Sequence, residues 1–341
     1  MKKGMTVVIA VMLLVLACGA AFAAGAEEVH KKFEGVKSVS LGTVSGDCVV
    51  KTHKSGEVLV DIEYDVEPEG SFVYRMNERG DKLVLEEDWE SRRGGSMSGE
   101  VMWTLTVPEG MDIKFSTASG DLSVTGPVGR VKASTASGEI EIVDAKGDMD
   151  VSTASGEVLL RNVAGEKEVS TASGDIRIEN SNDGIDASTA SGRIEASGIG
   201  GDAKMSTASG EIDITDSKAA FHLSCASGEI TAKGITVDGE SHFSTASGSV
   251  MIILAEASAY DINMSTASGD VTLDYNGKPV KGYFEFEARK RRGHISSHID
   301  FENEEEYERN GDTYVRKSFS VGGKSPSIYL STASGSIVLK K

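Results

Sequence analysis

Five residues, Ser-Thr-Ala-Ser-Gly, recur through this chain on a fixed clock, and so short a period repeated so often permits few folds. The copies start at Ser116, Ser134, Ser152, Ser170, Ser188 and Ser206, continue as Ser-Cys-Ala-Ser-Gly at Ser224, and return at Ser244, Ser265 and Ser331. The first seven starts lie 18 residues apart, after which the gaps are 20, 21 and 66. One supersecondary unit per copy, repeated in this way, is the signature of a solenoid.

After each motif glycine comes a polar, mostly acidic residue and then alternating aliphatics, as in Glu139-Ile140-Glu141-Ile142 and Asp175-Ile176-Arg177-Ile178. Such period-two alternation marks a half-buried strand. A second short strand runs into the next motif with apolar residues such as Val131 and Ala133, or Phe221 and Leu223. The expected fold is therefore all-β: a single-stranded parallel β-helix (β-solenoid) of about 18 residues per coil, right-handed as parallel crossovers are, with β-rich end caps. Continuing the alternation points Thr117, Thr135 and their equivalents inward, with Ser116 and Ala118 outward. The motif glycine serves as a corner that tolerates positive φ or close backbone approach. Eighteen is also three sixes, but the thirteenth positions of successive copies, Val128, Lys146, Ala164, Asn182 and Gly200, lack the aliphatic run of a left-handed hexapeptide helix.

Lys2-Lys3, an apolar stretch from Met5 to Ala17, and Ala21-Phe22-Ala23 make residues 1–23 a secretory signal peptide. The alternative takes Val15-Leu16-Ala17-Cys18 as a lipobox, with Cys18 as a lipid anchor and the only attachment to a membrane. No later segment reaches the ~18 consecutive apolar residues of a spanning helix. The expected location is exported, periplasmic or at the cell surface. Removing the signal takes two lysines from a chain whose formal net charge is already −18, which disfavours nucleic acid as a partner. Cys48 and Cys225 lie far apart along the proposed coil stack, and Cys225 replaces a ladder threonine, so both read as small buried residues.

Residues 24–115 form an N-terminal β cap with irregular coils, in which Thr43-Val44-Ser45-Gly46-Asp47 is a degenerate first copy. Residues 116–274 are the regular repeats. Residues 275–341 hold an insertion, with the basic run Arg289-Lys290-Arg291-Arg292 and the acidic run Glu304-Glu305-Glu306, followed by a closing repeat from Ser331 to Lys341 that ends the rod.

Candidate chemistry is sparse, and no catalytic, cofactor-binding or metal-ligating residue is assigned. Asp121, Glu139, Glu157, Asp175, Glu211, Glu229 and Asp270 stack in one ladder, broken by Arg193 and Ser249. Stacked carboxylates could share a divalent cation, but hydrogen bonds from turn amides are the favoured reading. His294 and His298 could share a strand face without the companions a metal needs. His30, His53, His222 and His242 are scattered. The basic run is expected to pair with nearby glutamates.

The repeated motif followed by an acid and an aliphatic, the stretch Trp103-Thr104-Leu105-Thr106-Val107-Pro108-Glu109-Gly110, and the closing Ile328-Tyr329-Leu330-Ser331-Thr332-Ala333-Ser334-Gly335 together resemble the bacterial putative-adhesin family, also called toast-rack. The resemblance covers nearly all of the mature chain. It implies an envelope-exposed single-stranded β-helix linked to adhesion or envelope stress, with no catalytic residues to carry over. The expected function is non-enzymatic: a repetitive surface for adhesion or envelope scaffolding, its partner a cell-envelope polymer, a glycan or an envelope protein. A polysaccharide-acting β-helix enzyme is one alternative. An ordered-surface protein that binds ice or crystals through outward threonines is another.

Overall fold

Alternating aliphatics can be covered only by copies of themselves, and the strand pairing shows how. The structure, a computed structural model, describes residues 26–90 and 97–341. The signal-peptide and Cys18 lipidation expectations lie outside the described residues. Within them every regular element is a strand, and no helix is long and apolar enough to cross a membrane.

Two parallel ladders organise the repeats. In one sheet, formed by the strands after each motif, Ile140 pairs with Leu122 and Val158, Val158 with Ile176, and Ile176 with Ile194. In the other, formed by the strands entering each motif, Ala133 pairs with Phe115 and Val151, and Val169 with Val151 and Ala187. Every such step is 18 residues. The aliphatics of both sheets face each other in one continuous core, with Ile140, Ile176, Ile212 and Leu223 essentially inaccessible. Fully burying one such side chain contributes about 1.5–3 kcal/mol, and every coil presents several.

A third inward ladder lies between the two sheets, one residue before the thirteenth positions. Ala145, Val163, Ser181, Ile199, Ser217 and Ile235 are all buried there. The residue preceding each is Asp144, Asn162, Asn180, Gly198, Asp216 or Gly234, and every one has positive φ, between 48° and 67°. Only glycine, asparagine and aspartate enter that region readily, so their recurrence is dictated by the turn. Asn162 Nδ2 donates to Asp144 Oδ1, and Asn180 Nδ2 donates to Asn162 Oδ1, both at 3.0 Å.

Threonine faces inward, as the alternation predicts, and the reason is a hydrogen-bond circuit. Thr189 Oγ1 accepts from Gly192 N at 3.0 Å and donates to Gly174 O of the preceding coil at 3.3 Å. Thr153 and Thr207 repeat this arrangement. The threonine array that an ice-binding reading needs therefore points into the molecule. The motif glycines from Gly120 to Gly228 do not need positive φ. Instead, a Cβ on any of them would overlap the carbonyl of the previous coil's glycine, so close backbone approach keeps the position bare.

Both ends share a topology that the sequence reading did not anticipate. Ser38–Gly42 and Asp47–His53 pair directly with Asp112–Ser116 and Leu122–Thr125. The intervening Lys82–Trp89 and Ser98–Pro108 form a further layer outside them. At the other end Ser327–Thr332 and Gly335–Lys340 slot beside Ile262–Ser268 and Val271–Asp274. Gly282–Arg289 and Gly293–Ser297 lie beyond. The Ser331 copy is thus the penultimate layer, and the expectation that it closes the rod is corrected: the insertion does so. Antiparallel hairpin strands, Phe72–Arg79 at one end and Asp312–Val321 with Asn303–Arg309 at the other, cover the outer layers of the second sheet.

Candidate functional site

The C-terminal cap is where the repetitive surface meets unlike chemistry. Gly282–Arg289 directs Phe284, Phe286 and Ala288 into the core, so its alternate residues Glu285 and Glu287 face outward under the Asn303–Val321 hairpin. Glu287 is nevertheless only 4% exposed. Arg309 Nη1 approaches its carboxylate to 3.0 Å and Arg316 Nη2 to 3.3 Å. Burial alone would raise its pKa, but interactions with Tyr307, Arg316, Arg309 and Tyr329 outweigh it and hold the carboxyl below its ordinary value. The Arg309 guanidinium lies 4.1 Å from the Tyr314 ring centroid, and that of Arg316 lies 4.9 Å from the ring of Tyr307.

Beside this cluster opens a pocket of about 650 Å³. Its floor is the outward ladder of the last coils, including Ser244, Ala246, Ser265 and Ala267, and its wall is Glu287, Arg309, Tyr314 and Tyr329. A flat floor of small residues with hydroxyls, an aromatic edge and a fixed carboxylate–guanidinium pair suit a polar, ring-shaped ligand. The sequence does not single out the tyrosines, because hairpin pairing rather than spacing brings them over the repeats.

A second concavity of about 940 Å³ runs along the strands that enter the motifs. It is lined by acids, among them Asp148, Glu166 and Asp183, interspersed with Arg130, Lys132 and Lys204, and by an inward lysine, Lys167. Lys167 takes the place held by Val131, Met149 and Ile185 in neighbouring coils and is 2% exposed. Its Nζ donates to the Asn182 carbonyl, and burial lowers its pKa despite the flanking carboxylates. The signal was present in the alignment of copies: one cation in an apolar column.

The acidic ladder divides by side-chain length. Asp121 Oδ1 accepts from Glu139 N, Asp175 Oδ1 from Arg193 N and Asp270 Oδ1 from Ser336 N, each at 2.7 Å, so the aspartates cap the next coil's amide. Among the described residues no three His, Cys, Asp or Glu side chains converge as a metal cage. His222 and His242 stack at 5.4 Å, and His294 lies exposed near the C-terminal end. In the basic run, Lys290 pairs with Glu306 at 2.6 Å, whereas Arg289 pairs with Asp312 at 3.1 Å. Cys48 and Cys225 are buried free thiols, and burial pushes the thiol of Cys225 up to about 12.

These features define an all-β, solenoid-like repeat protein. The chain belongs to the Toastrack family: the family described as Toastrack DUF4097 matches residues 36–199 and 189–298. No curated protein matches it. It is similar to the solved structure of a "putative cell adhesion protein" from Clostridium sporogenes, at 13% identity over 92% of this chain and 99% of that one, with a TM-score of 0.23. A "putative lipid binding protein" from Parabacteroides distasonis is 13% identical over 93% of this chain and 98% of that one, with a TM-score of 0.32. A "putative adhesin" from Bacteroides fragilis is 11% identical over 92% and 97%, with a TM-score of 0.24.

Proposed function

We propose that this protein is a non-enzymatic, exported rod, periplasmic or on the cell surface, that presents a repetitive face for adhesion or envelope scaffolding. The 18-residue pairing steps support a single-stranded parallel β-helix, right-handed by the general rule for parallel crossovers. Its partner is a cell-envelope polymer, a glycan or an envelope protein. Cleavage after Ala23 releases the mature chain, and Cys18 is the alternative point of lipid attachment.

One observation carries this reading. The outward Ser/Ala ladder of successive coils runs without interruption into the Glu287–Arg309–Tyr314–Tyr329 wall, so a repeating surface ends at a specific pocket. A repeating polymer fits such a surface, with a terminal or branch sugar in the pocket. The test is binding of the mature protein to purified peptidoglycan, envelope polysaccharides and host glycans, compared with Tyr314→Ala and Arg309→Ala. Retention of one polymer, weakened roughly tenfold by either change, supports the reading. Failure to bind any of them, or turnover of a bound polysaccharide, overturns it.

A further inference from the structure

From the two ends of the core we infer that this protein associates head to tail with a second copy of itself, through its first strand and the outermost strand at the opposite end. Twelve apolar residues pack against the core while only partly buried: Val29, Phe33, Tyr64, Val66, Tyr74, Met76, Trp89, Val280, Ile295, Ile299, Phe301 and Val321. All lie in the caps and none in residues 116–274. Among the described residues, then, incompletely covered core surface is confined to the two ends.

Among the described residues, each end also offers one unpaired strand edge in the first sheet: Glu27–Glu34 pairs only with Glu57–Glu67, and Gly293–Ser297 pairs only with Gly335–Lys340. Their directions are compatible. Glu27–Glu34 is antiparallel to Glu57–Glu67, which is antiparallel to Ser98–Pro108, a strand parallel to the repeats. Two reversals leave Glu27–Glu34 running with the stack, as Gly293–Ser297 does. One copy's last strand and another's first strand would meet as one more parallel pair, the geometry already used between coils.

Side-chain spacing fixes the register. Val29 and Phe33 are the partly buried residues of the first strand, four apart, and Ile295 and Ile299 have the same spacing on and just past the last. Setting Val29 opposite Ile295 places Phe33 opposite Ile299 and Glu28 opposite His294, and brings Glu27 and Glu28 beside Arg291 and Arg292. Among the described residues neither of those arginines has an ion-pair partner within its own chain, while the other two members of the basic run do. A slip of one residue would turn the apolar pair to solvent.

The test uses two variants, Glu28→Cys and His294→Cys, in a chain that also carries Cys18→Ser, since the two remaining native thiols, Cys48 and Cys225, are buried. Mixed under mild oxidation, they should form a cross-linked dimer that neither forms alone, and the pair Glu28→Cys with Asp300→Cys should not. Sedimentation of the unmodified protein should show association that grows from micromolar to submillimolar concentration. Ile295→Asp should weaken it roughly tenfold with an unchanged circular dichroism spectrum. A monomer throughout this range, equal cross-linking in either variant alone, or association indifferent to Ile295→Asp each overturns the proposal. Polymer binding through the Tyr314 pocket is read separately and survives any of these outcomes.

Discussion

Thr189 and Cys225 occupy the same ladder position, and the difference between them isolates what the motif threonine does. Cys225 keeps the buried volume but makes only a long contact, 3.9 Å from Sγ to the Glu229 carbonyl. Cys225→Thr restores a donor to the preceding coil and an acceptor for its own glycine amide, and should stabilise the fold by about 1 kcal/mol in a urea titration. Thr189→Val removes both bonds and should destabilise it by about 1–3 kcal/mol. Lys167 offers the complementary case. Its lowered pKa means that between the folded value and the ordinary 10.5 the unfolded chain binds more protons than the folded one. Stability therefore rises with pH through that window, and the burdened ammonium form prevails below it. Lys167→Met should raise the melting temperature at neutral pH, with the advantage over wild type shrinking as the solution is made alkaline. An advantage that stays constant with pH would show that the ammonium is not the source. The threonine direction was legible in the alternation alone. The αL column from Asp144 to Gly234 was equally visible as an 18-residue recurrence of Asp, Asn and Gly, yet it stands apart from the motif that draws the eye.

At the scale of elements, repeats were legible and ends were not, for a physical reason. A strand within the array is paired with copies of itself, so the sequence states its own partner; a cap strand pairs with an unlike segment, and nothing in Gly282–Arg289 announces that it will lie outside Ser327–Thr332. The same ignorance hid the pocket wall, since Arg309, Tyr314 and Glu287 come together only through hairpin register. Glu287 is the element's electrostatic clasp. Its folded pKa is depressed, so its contribution is fully present above the ordinary value of 4.5 and is lost as pH falls through the folded one. Glu287→Gln should cost about 2 kcal/mol at neutral pH, because two arginines lose their shared partner, and the gap to wild type should close on acidification below that range. Thermal melts of both proteins from pH 7 downward would read this. A gap that persists at low pH would assign the loss to packing rather than charge.

For the molecule as a whole, the decisive quantity is charge: the full chain has a formal net charge of −18, and the carboxylates of the stack recur at strand spacing. Coil-to-coil pairs such as Arg161 with Glu179 at 2.8 Å and Arg177 with Glu195 at 3.0 Å offset part of it, though both pairs are half exposed and each contributes little. Glu139 shows the remainder: burial first, then Asp121, Glu157 and Glu141, raise its pKa. A carboxyl raised in this way favours folding below its folded pKa, and that contribution disappears as pH climbs through it, opposite in sign to Glu287. At neutral pH the charged Glu139 therefore works against the compact state, and screening should relieve the part that its acidic neighbours and the chain's net charge contribute. Raising sodium chloride from about 10 mM, where the Debye length is about 30 Å, to about 0.15 M, where it is about 8 Å, should raise the melting temperature by a few degrees. Calcium chloride matched in ionic strength discriminates the two readings of the acidic column. If aspartates such as Asp121 and Asp175 serve as caps for the next coil's amide, calcium should do no more than sodium. A further, saturable rise with calcium would mean that neighbouring carboxylates hold a cation between them, and the capping account of the column would fall.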